Sequence, residues 1–259
     1  MEREEVLFSH FRPDERIFVE RVIDWVNRVA NRYQPILTPF LNPREQAIVG
    51  MWVRRSPDLN VSSDGGVTGA ERRRVRIYPP YMEDPDHGLA FLEVKSTNRS
   101  ATLLHPDILG SLLGLGVKRE VLGDIFVTDT GCQLIATQEI AGYIELQLNR
   151  VGRTPVRVKE IHRDDLCSPK QMTETVRVSV ASLRLDAVVA EAFRLSRTKV
   201  ATLIKNGKCH LNWKKEEKVS EPVREGDMIS LRGYGRAQMA EILGETRKGR
   251  MMIRLIQYV

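Results

Sequence analysis

Apolar residues recur at helical spacing in DERIFVERVIDWVNRVANRY, residues 14–33, where Phe18, Val22, Trp25, Val29 and Tyr33 fall on one side. Pro13 and Asp14 supply start signals and Pro35 a stop. An aromatic and aliphatic stripe of this kind belongs to a packed core. A second helix is expected over 43–55, PREQAIVGMWVRR, with Pro43 in its first turn. Glycine then interrupts the pattern in DGGVTGAERRR, residues 64–74, between a short strand LNVS and a strand RVRIYP at 74–79. The ERRR cluster reads equally as a phosphate contact or a solvated strand edge. The stretch PPYMEDPDHG at 79–88 reads as a loop or domain seam.

The next segment alternates periods. AFLEVKS (90–96) predicts a strand, HPDILGSLLGLG (105–116) a helix stopped by Gly116, and KREVLGDI (118–125) a short helix. FVTDTGCQLIAT (126–137) predicts a hairpin turning at Thr130-Gly131. QEIAGYIELQLNRVG (138–152) is an amphipathic helix and PVRVKEI (155–161) a closing strand. The order β-α-β-β-α-β is that of a ferredoxin-like, RRM-like α/β sandwich. The aromatic strand motif that stacks bases in an RNA-recognition motif is missing here, so this order permits RNA contact without demonstrating it. HRDDLCSPKQM (162–172) is polar and reads as a linker, with Asp164 and Asp165 solvated.

After it comes RLDAVVAEAFRLSRTKVATLIKNGKCHLN, residues 184–212. Leu185, Val188, Val189 and Phe193 give one buried helix face, with Asp186 favourably placed at its N-terminus. Ser196 is suited to cap a second helix over Arg197–Asn206, with Val200, Leu203 and Ile204 inward and Gly207 as its stop. Lys208, His210 and Asn212 then alternate with Cys209 and Leu211 on a strand. WKKEEK reads as a charged turn, EGD (225–227) as a tight turn and MISLRG as a strand.

Charge sharpens this picture. The 259 residues carry a net +6, but residues 172–259 hold 17 Lys+Arg against 10 Asp+Glu, while 1–171 hold 23 against 24. A basic module attached to a near-neutral body is the footprint of a polyanion binder. No apolar run approaches the roughly 20 residues that span a bilayer. The charged start MEREEVLFSH lacks an apolar export core. Cys132, Cys167 and Cys209 are odd in number and far apart, as expected of reduced cytoplasmic thiols.

The ordered pattern RLD…LSRTKVATLIKNGKCHLN…EGDMISL resembles the ribosomal S-four type RNA-binding domain, or alpha-L motif, over roughly residues 182–235. HFRPDER, FLNPREQAIV, GAERRR and HPDILGSLLGLGVKREVLGDI extend a resemblance to the bacterial YlmH family over most of the chain. The expected architecture is α+β and multidomain. It comprises an N-terminal mixed α/β domain (1–80), a ferredoxin-like RNA-binding domain (81–165), a linker and leading strand (166–181), and an S-four type domain with C-terminal strands (182–259).

The resemblance implies RNA binding without catalysis, to structured rRNA and tRNA. It also implies association with a large ribosomal subunit that carries stalled peptidyl-tRNA, in ribosome-associated quality control. One branch of the family is linked by name to photosystem II. Arg184, Ser196, Arg197, Lys199, Lys205, Lys208 and Asn212 are the contact set carried across, Ser196 also reading as a cap alone. His210, Lys214 and Lys215 complete it by position, and His105, Lys118 and Arg119 are secondary candidates. Trp213 reads as a stacking or a packing residue.

Enzyme signatures do not accompany the module. LGSLLGLG and GYGR have the wrong spacing for a cofactor loop, there is no phosphate-binding GxxxxGK[ST] loop, and the five histidines lack ligand spacing. His105, without a nucleophile or paired acid, reads as a structural or capping residue as readily as a base. No metal or cofactor is expected, and nothing demands more than a monomer. Two other classes stay open: an RNA-modifying enzyme with its site in the first 165 residues, and a scaffold for cell division or photosystem assembly.

Overall fold

The computed structural model describes residues 11, 13–83, 86–98, 102–167, 173–246 and 249–258. The leading MEREEVLFSH and linker residues 168–172 lie outside them. Contacts divide the chain into two compact units, one reaching Pro169 and one starting at Lys170.

In the first unit a 3-10 turn, Pro13–Glu15, leads into α1 (Arg16–Arg32), followed by β1 (Ile36–Leu41), α2 (Pro43–Val53), β2 (Asn60–Asp64) and β3 (Arg73–Tyr78). The three strands form an antiparallel sheet in the order β1-β3-β2. The helical stripe enters the core as Val22, Trp25 and Val29, joined by Val19 and Val26. Phe18 packs edge-on to Trp25, with ring centres 6.0 Å apart. Tyr33 departs from the expected stripe. It closes α1 with φ 55° and stays exposed, because the left-handed cap turns its side chain out of the helical register. At the start of α2 the Asn42 side chain accepts the Glu45 N–H at 2.9 Å while the Glu45 carboxylate accepts the Asn42 N–H at 2.7 Å, a capping box.

The second half of this unit contains β4 (Leu89–Ser96), α3 (His105–Gly114), β5 (Leu122–Thr128), β6 (Gly131–Thr137), α4 (Gln138–Gln147), β7 (Arg150–Val151) and β8 (Thr154–Ile161). The strand order is β5-β6-β4-β8-β7, with every neighbour antiparallel. That is the ferredoxin-like order with a short extra edge strand. The helix expected over 118–125 is only a 3-10 turn, Arg119–Val121. From Leu122 the chain joins β6, and strand pairing overrides the local helical period.

The sheet's first face alternates as the period-two pattern requires. Ala90, Leu92, Val94, Leu134 and Ala136 turn toward Ile108, Leu112 and Ile144 of the helices. Each buried Leu or Ile stabilises this layer by about 1.5–3 kcal/mol. The second face is covered too. The Gly66 backbone, at φ 88°, lies so close that an added Cβ would meet Ile135 at 2.7 Å and Phe91 at 2.8 Å. The Arg163 guanidinium sits 5.5 Å from the Phe91 ring centre and pairs with Asp64. Gln133 donates to the Asp165 carbonyl at 3.0 Å and accepts the Cys167 N–H at 2.6 Å. Residues 163–167, expected as free linker, are therefore docked on the sheet, although the Asp164 and Asp165 side chains do face water.

The second unit runs β9 (Thr173–Val180), α5 (Leu185–Ala192), α6 (Arg197–Lys205), β10 (Cys209–Leu211), β11 (Lys214–Glu216), β12 (Met228–Leu231), β13 (Gly235–Glu245) and β14 (Met251–Tyr258). All six strands join one sheet in the order β11-β10-β12-β13-β14-β9. Val188, Val189, Val200 and Ile204 of the helices pack on Cys209, Ile229, Leu231, Met239, Ile253 and Leu255 of one sheet face. WKKEEK is not a turn. The turn is Asn212-Trp213, with φ 51° and 63°, the geometry of a two-residue hairpin loop whose twist matches its strands.

Candidate nucleic-acid interface

The α5–α6 pair positions most of the expected cations. The Ser196 hydroxyl accepts the Lys199 N–H at 3.3 Å and so caps α6. Val200 and Ile204 anchor the helix, leaving Arg197, Lys199 and Lys205 exposed. Arg197 and Lys205 lie about 12 Å apart along the axis and about 80° apart around it, at the usual helical rise and turn. Lys199 occupies the other flank, its ammonium 5.2 Å from the ring centre of Tyr234.

Asp186 organises the helix entrance. Its side chain is 10% exposed, and it receives Arg197 at 2.6 Å, Arg184 at 3.1 Å and the Ala187 N–H at 3.0 Å. Burial opposes its charge. The Arg184 and Arg197 guanidiniums outweigh that and hold the carboxyl below the usual range. The two arginines are thus fixed beside each other, each with about half its side chain in water.

The strand residues do not all share the helix face. Cys209 is buried against the helices, so the alternation sends His210 to the opposite face, in a cross-strand row with Lys215 and Ser230. The Lys215 stem reaches back over the end of α6, where a Cβ on Gly207 would stand 1.9 Å from it, and its ammonium pairs with Glu217 at 2.7 Å. Lys205 and Lys208 are exposed and make no ion pair among the described residues. Lys214 is half-buried at the edge of the sheet. Asn212 is committed to the fold. It donates to Asp227 at 2.8 Å and accepts the Met228 N–H at 2.9 Å, fastening the hairpin to β12. Trp213 is half-buried at the same turn.

The secondary candidates in the first unit separate. His105 and Lys118 are exposed, Lys118 standing 4.0 Å from Glu120. Arg119 faces inward, donating to the carbonyls of Leu122 at 2.7 Å and Gly123 at 3.1 Å. Burial, with the nearby charge of Arg72, pushes its pKa down to about 10. The ERRR cluster is neither phosphate contact nor solvated edge. Arg72 donates to the carbonyls of Leu122, Phe40 and Arg119, and Arg74 to those of Thr38, His87 and Gly88. Asp124 accepts the N–H groups of Glu71 at 2.7 Å and Arg72 at 3.2 Å, and burial raises its carboxyl pKa in spite of them.

Three family models match the chain: "YlmH, N-terminal" over residues 14–82, "Putative RNA-binding domain in YlmH" over 82–165, and "S4 domain" over 183–229. The chain is 38% identical over 249 residues to the "Ribosome-associated protein quality control protein P2" of Bacillus subtilis (strain 168), spanning 95% of this chain and 96% of that one. The chain belongs to the YlmH family. A solved structure, "Cell division protein ylmH from Streptococcus pneumoniae", is similar with a TM-score of 0.55 and 26% identity, over 61% of this chain and 98% of that one. In this YlmH-family chain the S4 match spans residues 183–229, so β9 before it and β13 and β14 after it lie outside the match although they complete the same sheet.

Sequence reasoning missed the residues that these strands add, namely Tyr234, Arg236 and Tyr258, together with Arg194 at the α5–α6 turn. Arg236 stacks its guanidinium 5.4 Å from the Tyr258 ring centre. The available signal was RGYGR (232–236), which alternates cations with an aromatic residue but was weighed only as a cofactor loop.

Proposed function

We propose that this protein binds structured RNA of the ribosome, rRNA and tRNA, as a non-catalytic cytoplasmic factor seated on the large subunit in translation quality control. The observation that carries the reading is the rigid, capped helix α6. It presents Arg197 and Lys205 outward beside Lys208, in the unit that holds the chain's excess positive charge. A helix held by its cap and its buried face fixes the order and spacing of these cations, so a phosphate backbone can meet them in register. Arg184, Lys199, Lys214 and the Lys215 stem over the end of α6 widen the track, His210 standing apart on the opposite sheet face, and Ser196 and Asn212 serve it by holding the backbone. The matches to an S4 domain and to a relative named for ribosome-associated quality control support the same reading. In keeping with a binding role, burial pushes the thiols of Cys132 and Cys209 up to about 12, so neither is a ready nucleophile.

The central domain, 81–165, contacts RNA or ribosomal protein through its exposed rims, His105 and Lys118 included. Its second sheet face is occupied by the Gly66 loop and Arg163. The domain division then reads 1–80, 81–165 and an S-four type unit that takes in β9 from Thr173, ahead of the residue 182 expected from the sequence; the first two are fastened together by Arg72, Arg74 and Asp124.

The test is the full chain with Arg197→Ala and Lys205→Ala together, titrated with an rRNA hairpin across salt concentrations. The slope of log affinity against log salt should shrink by about 1.4–1.8, two contacts at about 0.7–0.9 each. A folded double variant with wild-type affinity and slope would remove α6 from the interface. Sedimentation with large subunits, lost on nuclease treatment or at high salt, is the expected cellular result. Persistent migration in light fractions would favour the scaffold class instead.

A further inference from the structure

At the end of the six-stranded sheet lies a cleft of about 250 Å³ lined by Phe193, Arg194, Tyr234, Arg236, Gln257 and Tyr258. We propose that it receives one unpaired base of the RNA that α6 grips. The inference rests on the RNA-binding reading above and names a second, separate element of recognition within it.

The chemistry of the lining selects the ligand. It offers three aromatic rings and two guanidiniums and contains no carboxylate. A flat, π-faced group attached to an anion fits that set, and a nucleotide is such a group. Aromatic side chains stack on any base, because every base has a π-face, and arginine adds a cation–π contribution. The volume falls below the usual range for larger ligands, a size for one base and not for a duplex.

Three local structures build the cleft. Arg236 and Tyr258 stand directly opposite in the β13–β14 register, and the guanidinium lies 5.4 Å from the ring centre, so both present flat surfaces together. Tyr234, 39% exposed, rides on a hairpin whose Gly233 and Gly235 take φ 87° and 112°. That hairpin is fastened to the end of α6 by the Arg232 N–H, which donates to the Lys208 carbonyl at 2.9 Å. Arg194 closes the third side from the α5–α6 turn at φ 53°, a conformation that disfavours residues with a side chain. The Gln257 amide donates to the Ala192 carbonyl and ties the last strand to α5.

Continuity with α6 comes from Lys199. It belongs to the helix proposed to follow phosphates, and its ammonium lies over the Tyr234 ring at the cleft's edge. A strand that reaches the Lys199 flank of α6 therefore arrives at the cleft, where a base that is not paired can turn in. Tyr234, Arg236 and Tyr258 all lie beyond residue 229, where the S4 match ends. This site is an addition made by the strands that enlarge the sheet.

The experiment compares RNA hairpins of one stem, fully paired or carrying a single bulged adenosine at each of several successive positions. The full chain is titrated by fluorescence anisotropy at fixed salt. At least one bulged stem should bind about tenfold tighter than the paired stem, the scale of one base stack. Tyr258→Leu should abolish that preference and leave affinity for the paired stem unchanged, while Tyr258→Trp restores it. Tyr234→Leu, at a hairpin tip, gives an independent second variant. With 2-aminopurine in the bulge, fluorescence should be quenched by the wild type and not by Tyr258→Leu.

Equal affinity for all stems, or a preference surviving in both leucine variants, overturns the cleft. If the paired stem also fails to bind, the α6 reading falls and the cleft with it. If the paired stem binds and no bulge is preferred, only the cleft is lost.

Discussion

Replacing Asp186 by asparagine tests whether one shielded carboxylate sets the geometry of the helix entrance. The side chain is 10% exposed, whereas its partners Arg184 and Arg197 keep 46% and 52% of theirs in water. Asparagine retains an oxygen for the Ala187 N–H, so that bond survives. What is lost is charge: two half-exposed ion pairs at about 0.2–1 kcal/mol each, and a carboxylate in the first helical turn at about 0.3–1 kcal/mol. The expected loss is about 1–2 kcal/mol. The larger cost of stranding a buried charge, about 3–5 kcal/mol, does not apply, because both guanidiniums can rehydrate where they stand.

Native-state hydrogen exchange reads this directly. Val188 donates to the Arg184 carbonyl at 2.9 Å and Val200 to that of Ser196 at 3.0 Å. Their amides should exchange about 5–30 times faster in the variant, at about 1.4 kcal/mol per tenfold. The pH dependence supplies a second check. The folded carboxyl sits below its ordinary value of 3.8. Its contribution is therefore complete well above that value and is lost as pH falls through the folded pKa. Denaturant melts of wild type and variant should differ at pH 7 and converge only below about pH 3.8. Unchanged exchange at pH 7, a loss above about 3 kcal/mol, or convergence already at pH 5 would refute the reasoning.

Two further outcomes follow from the same structure. Ser196→Ala should cost about 1 kcal/mol through the lost cap, with RNA affinity retained in the folded fraction; a large affinity loss without a stability change would make Ser196 a direct contact. Gly66→Ala should lower the melting temperature of the first unit, since φ 88° alone costs a residue with a side chain about 1–2 kcal/mol and the added methyl meets Ile135 and Phe91; an unshifted melt would show that the loop yields.

Legibility in the sequence followed the range of the interaction that decides each feature. The α6 cap and stop were readable, because Ser196 and Gly207 act within their own turns. The βαββαβ order was readable, because each element carries its own period. The hairpin at Asn212-Trp213 was not, because tryptophan hides a positive-φ position that glycine would have announced. The strand beginning at Leu122 was not, because its partner in β6 decides it. The fate of the ERRR cluster was the least legible. Arg72 reaches the carbonyls of Phe40 and Leu122, 32 and 50 residues away, and no local pattern distinguishes a guanidinium bound inward from one left in water. The candidate face was half legible. The helix cations stand where the spacing placed them, yet His210 lies on the opposite sheet face because Cys209 faces the core.

The covered second face of the central sheet also sets a schedule for the protein's own synthesis. Asp64 must wait for Arg163, 99 residues later, before the pair over Phe91 can close. At translation speeds of about 5–20 residues per second, that is a delay of roughly 5–20 s. Through it, the two early helices can already pack on β1 and β3, whose Leu41, Val75 and Ile77 share their core, while the pair over Phe91 stays open. The N-terminal layer can thus close on itself early, and its clasp on the central sheet is the last part to shut.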